Sequence, residues 1–148
     1  MEKSINQLPD FLIEQFHMKK QDINAYSPLT LAYIGDAVYD LLVRTIVVEK
    51  GNCSANRLHK KTSEIVKAPA QAEAIERLMM VLTEKEQEIY RRGKNAKPYT
   101  TAKNATMSQY QKATGLEAVI GYLYLNGEME RAVELLRMGL ERGKENEI

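Results

Sequence analysis

The 148-residue sequence predicts an all-α fold on three observations. Apolar residues recur at helical spacing through most of the chain, helix-opening and helix-ending residues fall at the borders of those segments, and no segment sustains the alternation of a half-buried strand. With 44% hydrophobic residues the chain can build one ordinary core and is too short for two. It therefore reads as a single domain over residues 1–148, with a frayed charged tail from about residue 141.

The first helix is expected from about Leu8 to Lys19, where Leu8, Phe11, Leu12 and Phe16 share a face. Asn24 to Ser27 interrupts that pattern. Ser27 reads as an N-cap and Pro28 as the first helical residue, where its missing N–H costs nothing; Leu31, Ile34, Val38, Leu41 and Leu42 follow until Gly51. This is the longest apolar helix, and it carries more hydrophobic surface than a one-sided helix requires. A second copy of the chain is expected to cover part of it, giving a homodimer.

A third helix starts at Ser54 and stops before Pro69, where a fourth starts with Ala72, Ile75, Leu78, Met79 and Leu82 at helical spacing. Thr83 with Glu86 has the capping-box pattern that opens a fifth, and Gly93 is expected to close it. From Gly93 to Ser108 runs a polar, proline-containing connection longer than most within a compact domain, of the kind that is usually functional or disordered. A sixth helix reaches to about Leu125 through Leu116, Val119, Ile120 and Leu123, and Asn126-Gly127 ends it. The last, amphipathic helix holds Met129, Ala132, Val133, Leu136 and Leu140.

Composition excludes several function classes. The single cysteine, Cys53, rules out an internal disulfide, and with only His17 and His59 beside it a zinc site has too few ligands. Any metal must be a hard ion held by oxygen. None of these three residues sits in a nucleophile motif. No stretch approaches the roughly 20 apolar residues of a membrane span, and Met1-Glu2-Lys3-Ser4 leads into no apolar signal core, so a soluble, cytoplasmic protein with no membrane partner is expected. The formal net charge of +1 argues against a protein that simply coats nucleic acid, but the charge is unevenly distributed. From Arg91 to Leu116 there is no acid, while Arg91, Arg92, Lys94, Lys97, Lys103 and Lys112 are basic. Such a run is either a solvated face or a surface for phosphates. Most of the tyrosines read as core; Tyr99, inside the basic loop, is the exception, an aromatic ring that could stack on a base if the loop meets nucleic acid.

Two carboxylates are embedded in otherwise apolar helices: Asp36 in Leu-Ala-Tyr-Ile-Gly-Asp-Ala-Val-Tyr-Asp, and Glu117 in Thr-Gly-Leu-Glu-Ala-Val-Ile-Gly-Tyr-Leu. A buried charge needs a partner. Gly35, Ala37, Ala118 and Gly121 flank them with small side chains that let helix backbones come close, so the two acids can face one another. Such a pair suits Mg²⁺, which takes a few carboxylates and keeps several waters, and which activates water beside a phosphate. The residues alone also allow a plainer reading. Asp36 and Asp40 would then continue a solvated polar face, and Thr114 with Glu117 would be a capping box.

At these two segments the sequence resembles a family. Leu31-Ala-Tyr-Ile-Gly-Asp-Ala-Val-Tyr is similar to the signature helix of the ribonuclease III endonuclease domain, and Glu117-Ala-Val-Ile-Gly-Tyr-Leu-Tyr-Leu to its second metal-binding helix. The resemblance spans residues of about 25 to 140. With no double-stranded-RNA-binding domain attached, and with Arg92-Gly-Lys-Asn-Ala-Lys ahead of the second motif, it points to the Mini-ribonuclease III branch. That resemblance implies a homodimeric, Mg²⁺-dependent endoribonuclease that makes staggered cuts in double-stranded RNA and matures the ends of 23S ribosomal RNA precursor, a ribosomal protein being a further partner. It assigns the catalytic and metal-binding roles to Asp36 and Glu117, and the RNA contacts to Arg91, Arg92, Lys94, Lys97, Lys103 and Lys112.

The chain departs from the larger ribonuclease III enzymes at three places. Their glutamate four residues before the aspartate is Ala32 here, their aspartate three residues before the second glutamate is Thr114, and an earlier glutamate is Leu29. These departures leave open how many protein ligands and metal ions the site has. They also leave a rival reading, a catalytically silent RNA-binding protein of the same fold that serves in ribosome assembly.

Overall fold

A computed structural model describes residues 4–96 and 105–141. Among them are seven α-helices and no strand: α1 (Leu8–Gln15), α2 (Pro28–Lys50), α3 (Ala55–Val66), α4 (Ala68–Leu78), α5 (Glu84–Asn95), α6 (Met107–Leu125) and α7 (Met129–Leu140), with short 3₁₀ turns at Ile5–Gln7 and Ile23–Ala25. None of these helices is long and apolar enough to cross a membrane.

Helix borders follow local capping chemistry. The Ser27 side chain accepts from Thr30 N–H at 3.1 Å, Ser54 caps α3 by accepting from Arg57 N–H, and Thr83 and Glu86 close a reciprocal box at the start of α5. Three borders differ from expectation, one of them the end of α4, which stops at Leu78 and leaves Met79, exposed, and Leu82 beyond it. α1 ends at Gln15, well short of Lys19, because His17 takes a left-handed backbone (φ 54°) that helix cannot continue through. Its apolar face does not enter the core either, with Phe16 69% exposed. α5 runs past Gly93 to Asn95, and Gly93 is buried inside it: a Cβ there would lie 2.9 Å from Ala118 Cβ and 3.0 Å from Gly115 Cα. This glycine permits close packing of α5 on α6 and ends nothing.

α6 is the axis of the fold. Ala113, Leu116, Ala118, Val119, Ile120 and Leu123 are all buried, so it is covered nearly all round, by α2, α4, α5 and α7. α2 buries one stripe, Leu31, Ala32, Gly35, Val38, Tyr39, Val43 and Val47, against it. α7 is fastened to the start of α5 by Arg131, which donates to both Glu86 carboxylate oxygens at 2.9 Å and to the Val81 carbonyl. Burial opposes the charge on Glu86, but these donors and the Thr83 cap hold its pKa below the ordinary range.

The outer face of α2 remains apolar. Tyr33, Ala37, Leu41 and Val48 are exposed and fall on one stripe, with Tyr33 81% and Leu41 60% accessible. Of the tyrosines expected in the core, Tyr33 is thus a correction.

Candidate active site

Asp36 and Glu117 are brought together by the crossing of α2 and α6. Gly35 and Gly121 carry no side chain at the point where the two backbones touch, and the carboxyls of Asp36 and Glu117 come within hydrogen-bonding reach of each other. Their surroundings differ. Asp36 is exposed, so it is not the buried charge its apolar neighbours suggested, whereas Glu117 is half-buried. Burial first, and then the hydrogen bond and charge of Asp36, push Glu117 up to about 9. At neutral pH the pair holds a proton on Glu117.

Sequence reading missed a third member of this cluster. Gln71 of α4 is 2% exposed and hydrogen-bonds to the Glu117 carboxyl, which partly offsets the upward push. Its trace in the sequence is a lone amide at helical spacing with Ile75 and Leu78, on a face otherwise made of alanine and aliphatic residues.

Two of the positions where the chain departs from the larger enzymes lie next to the pair and supply no further carboxylate. Ala32 is buried, and Thr114, also buried, donates its hydroxyl to the Tyr110 carbonyl at 3.0 Å. Thr114 lies well inside α6 and caps nothing; the N-cap is Thr106, boxed with Gln109. Asp40 is engaged by Arg44 at 2.8 Å. Among the described residues no group of three or more His, Cys, Asp or Glu side chains converges. The site thus offers two carboxylates, all-oxygen and partly shielded from water. That donor set fits a hard divalent ion that keeps most of its waters.

The basic residues separate into three groups. Arg91 and Arg92 are exposed on the last turns of α5, with Lys94 half-buried beside them. Lys112 on α6 is drawn to Glu76 of α4 at 2.5 Å, which raises its own pKa and lowers that of Glu76. Lys97, Tyr99 and Lys103 lie outside the described residues.

Comparison with known proteins agrees with the motifs. Residues 29–128 match the Ribonuclease III domain. The chain is 45% identical to the Mini-ribonuclease 3 of Clostridium tetani, over 93% of this chain and 92% of that one. It is also 45% identical to the Mini-ribonuclease 3 of a Thermoanaerobacter species, over 95% and 97%. A crystal structure of a Fusobacterium nucleatum protein superposes with a TM-score of 0.71 at 33% identity, covering 78% of this chain and 93% of that one. With the helical order, the α2–α6 crossing and the carboxylate pair in place, the chain belongs to the ribonuclease III domain family of endoribonucleases, alongside its Mini-ribonuclease 3 members.

Proposed function

We propose that this endoribonuclease cleaves double-stranded RNA with Mg²⁺ held by Asp36 and Glu117, acts as a homodimer in the cytoplasm, and matures the ends of 23S ribosomal RNA precursor. The observation that carries the reading is the carboxylate pair itself: two acids in hydrogen-bonding reach at a partly shielded helix crossing, one of them pushed up to about 9. Structural carboxylates are ordinarily matched by cations, as Glu86 is by Arg131. Here the partner of one acid is another acid.

Mg²⁺ bound at the pair would supply a water of lowered pKa and neutralise charge on the scissile phosphate. Glu117 would hold the ion as the carboxylate, and Gln71 keeps that carboxyl oriented by donating to it. Asp36, the exposed member, faces the side from which a phosphate arrives. Hydrolysis in line would leave a 5′-phosphate and a 3′-hydroxyl. Arg91, Arg92 and Lys94, with Lys97, Lys103 and Lys112, would track the backbone, since duplex RNA is read by shape, phosphates and 2′-hydroxyls rather than through its deep major groove.

The dimer is supported by the exposed stripe of Tyr33, Ala37, Leu41 and Val48. Its Tyr33 and Ala37 lie within one turn of Asp36, so a second copy seated on the stripe would set two sites side by side, one for each strand. The 23S precursor as substrate, and a ribosomal protein that presents it, rest on the family branch alone.

A folded, nuclease-free preparation incubated with a structured duplex should cut it with Mg²⁺ and not with EDTA, and Asp36→Asn should lower the rate by orders of magnitude. Unaltered turnover by Asp36→Asn removes the catalytic assignment. Sedimentation at micromolar concentration should show twice the 16.9 kDa mass, and Tyr33→Glu should shift it to monomer.

A further inference from the structure

Several surface cations of this protein are matched by acids. Arg44 is held by Asp40, Lys112 by Glu76 and Arg131 by Glu86, and Lys67 lies 3.9 Å from Glu64. α3 carries a group that is not. From Lys50 to Ser63 the sequence has no aspartate or glutamate, and Arg57, Lys60 and Lys61 of α3 are all exposed. Among the described residues none of these three forms an ion pair. Their spacing, i, i+3 and i+4, gathers them on one face, whereas Leu58, Thr62 and Ile65 turn inward, Thr62 buried and the other two packed against the core. Like charges at such spacings work against a helix in the free protein. Arg91, Arg92 and Lys94 on α5, also unmatched, are the cations already assigned to RNA.

The α3 group lies beside the carboxylate pair. Asp36, Asp40 and Arg44 follow one another at one-turn spacing along a single row of α2. Arg44 also lines a groove between α2 and α3, together with Val47, Leu58, His59 and Thr62. At ~1.5 Å per residue, the row reaches that groove about 12 Å from Asp36. α5 comes to the pair by another route, since Gly93, next to Lys94, packs on Gly115 and Ala118, which bracket Glu117 in sequence. We propose that the Arg57, Lys60 and Lys61 face of α3 is a second binding surface for the backbone of duplex RNA, continuing from the carboxylate pair along α2. Three side chains that only donate, with no apolar side chain among them, suit a polyanion, the guanidinium as a fork for phosphate oxygens and the two ammonium groups as point charges. Contacts of this kind set the position of a duplex without reading its sequence.

This inference rests on the reading of duplex RNA as the substrate. It is tested by duplex binding across a series of salt concentrations in EDTA, which stops cleavage and leaves contacts between cations and phosphates in place. The full chain carrying Arg57→Gln, Lys60→Gln and Lys61→Gln is compared with wild type and with a control carrying Lys20→Gln, Lys85→Gln and Arg137→Gln, which loses the same charge from positions matched by acids. The α3 variant should bind more weakly at low salt, with a log–log slope flattened by ~0.7–0.9 for each phosphate no longer neutralised. Its melting temperature should be no lower than that of wild type, because like charges have left one face of the helix. The control should keep the wild-type slope, and so should a chain with Arg57→Lys, Lys60→Arg and Lys61→Arg. Wild-type affinity and slope in the folded α3 variant would overturn the proposal and leave the face to solvent or to an acidic protein. Equal flattening in the control would overturn it as well, since net charge alone would then account for the effect. If wild type cuts the duplex with Mg²⁺ yet does not bind it in EDTA, this inference fails and the substrate reading stands; if it neither binds nor cuts, the substrate reading fails first.

Discussion

Gly35 of α2 and Gly121 of α6 meet backbone to backbone: a Cβ on Gly35 would fall 1.7 Å from the Glu117 carbonyl oxygen, and one on Gly121 1.9 Å from the Leu31 carbonyl oxygen. Neither clash can be relieved by turning a side chain, because the obstacle is main chain. The absent methyls therefore set the separation of the helices that carry Asp36 and Glu117.

Gly35→Ala should accordingly separate α2 from α6 and cost stability of about 1–3 kcal/mol or more, as overpacking does. Activity should suffer further than stability, since a shift on the order of 1 Å in a reacting constellation costs about 100-fold. Thermal melts and duplex cleavage on the same preparation check both. A stable Gly35→Ala protein with wild-type turnover would mean that the crossing does not govern the site.

Glu117 makes stability depend on pH in a definite direction. Its pKa is about 9 in the fold against an ordinary 4.5, so between those values the native chain binds more protons than the unfolded chain. The contribution of this group is full below about pH 4.5 and is lost as pH rises through the window, with a slope of at most ~1.4 kcal/mol per pH unit. Glu117→Gln should remove that part of the slope. Near pH 7, Mg²⁺ binding to wild type should release about one proton, measurable by calorimetry in two buffers of different ionisation enthalpy. Equal pH slopes for wild type and Glu117→Gln, or no proton release, would show that the carboxyl is already ionised.

Much of this was legible in the sequence because it is written locally. Ser27, Ser54 and the Thr83–Glu86 box announce helix starts through atoms three residues apart, and two acids inside apolar helices flanked by glycine and alanine announce a polar meeting point. What escaped depends on partners distant in the chain. A glycine near a helix end looks the same whether it caps the helix or admits a neighbour, so Gly93 was legible only once Gly115 and Ala118 lay against it. Gln71 is a single amide on an alanine-rich face until α4 packs on α6. Lys112 reads as one more cation in an acid-free run, yet Glu76 on another helix claims it.

That ion pair divides the basic residues experimentally. If Arg91, Arg92 and Lys94 neutralise phosphates, replacing each with glutamine should flatten the salt dependence of duplex binding by ~0.7–0.9 in log–log slope for each phosphate no longer neutralised. Lys112→Gln should change the slope less, because Glu76 already offsets its charge, and Glu76→Gln should strengthen binding. Binding isotherms across salt concentrations decide it. An unchanged slope after replacing all three α5 cations would make them a solvated face.

The positions beside the carboxylates permit the sharpest test of site geometry. Ala32 has no oxygen to offer, and Thr114 supplies no carboxylate, only a hydroxyl that donates to the Tyr110 carbonyl at 3.0 Å. Mg²⁺ demands six oxygens in octahedral array, so two carboxylates leave the other positions to water and substrate phosphate. Binding to the RNA-free protein should be weak and should tighten when a duplex contributes its oxygens. Thr114 precedes Glu117 by one turn of α6 and Ala32 precedes Asp36 by one turn of α2, so Thr114→Asp and Ala32→Glu each place a third carboxylate next to the pair. Without metal the added acid stands against like charge and should lower stability; with Mg²⁺ that loss should be recovered, and the ion should bind more tightly without RNA. Ala32 is the more enclosed position, at 7% exposed, so Thr114→Asp remains informative if Ala32→Glu does not fold. Calorimetric titration of Mg²⁺ into the three proteins decides the matter: tight binding by wild type, or no gain in a folded variant, would mean that these positions do not face the ion.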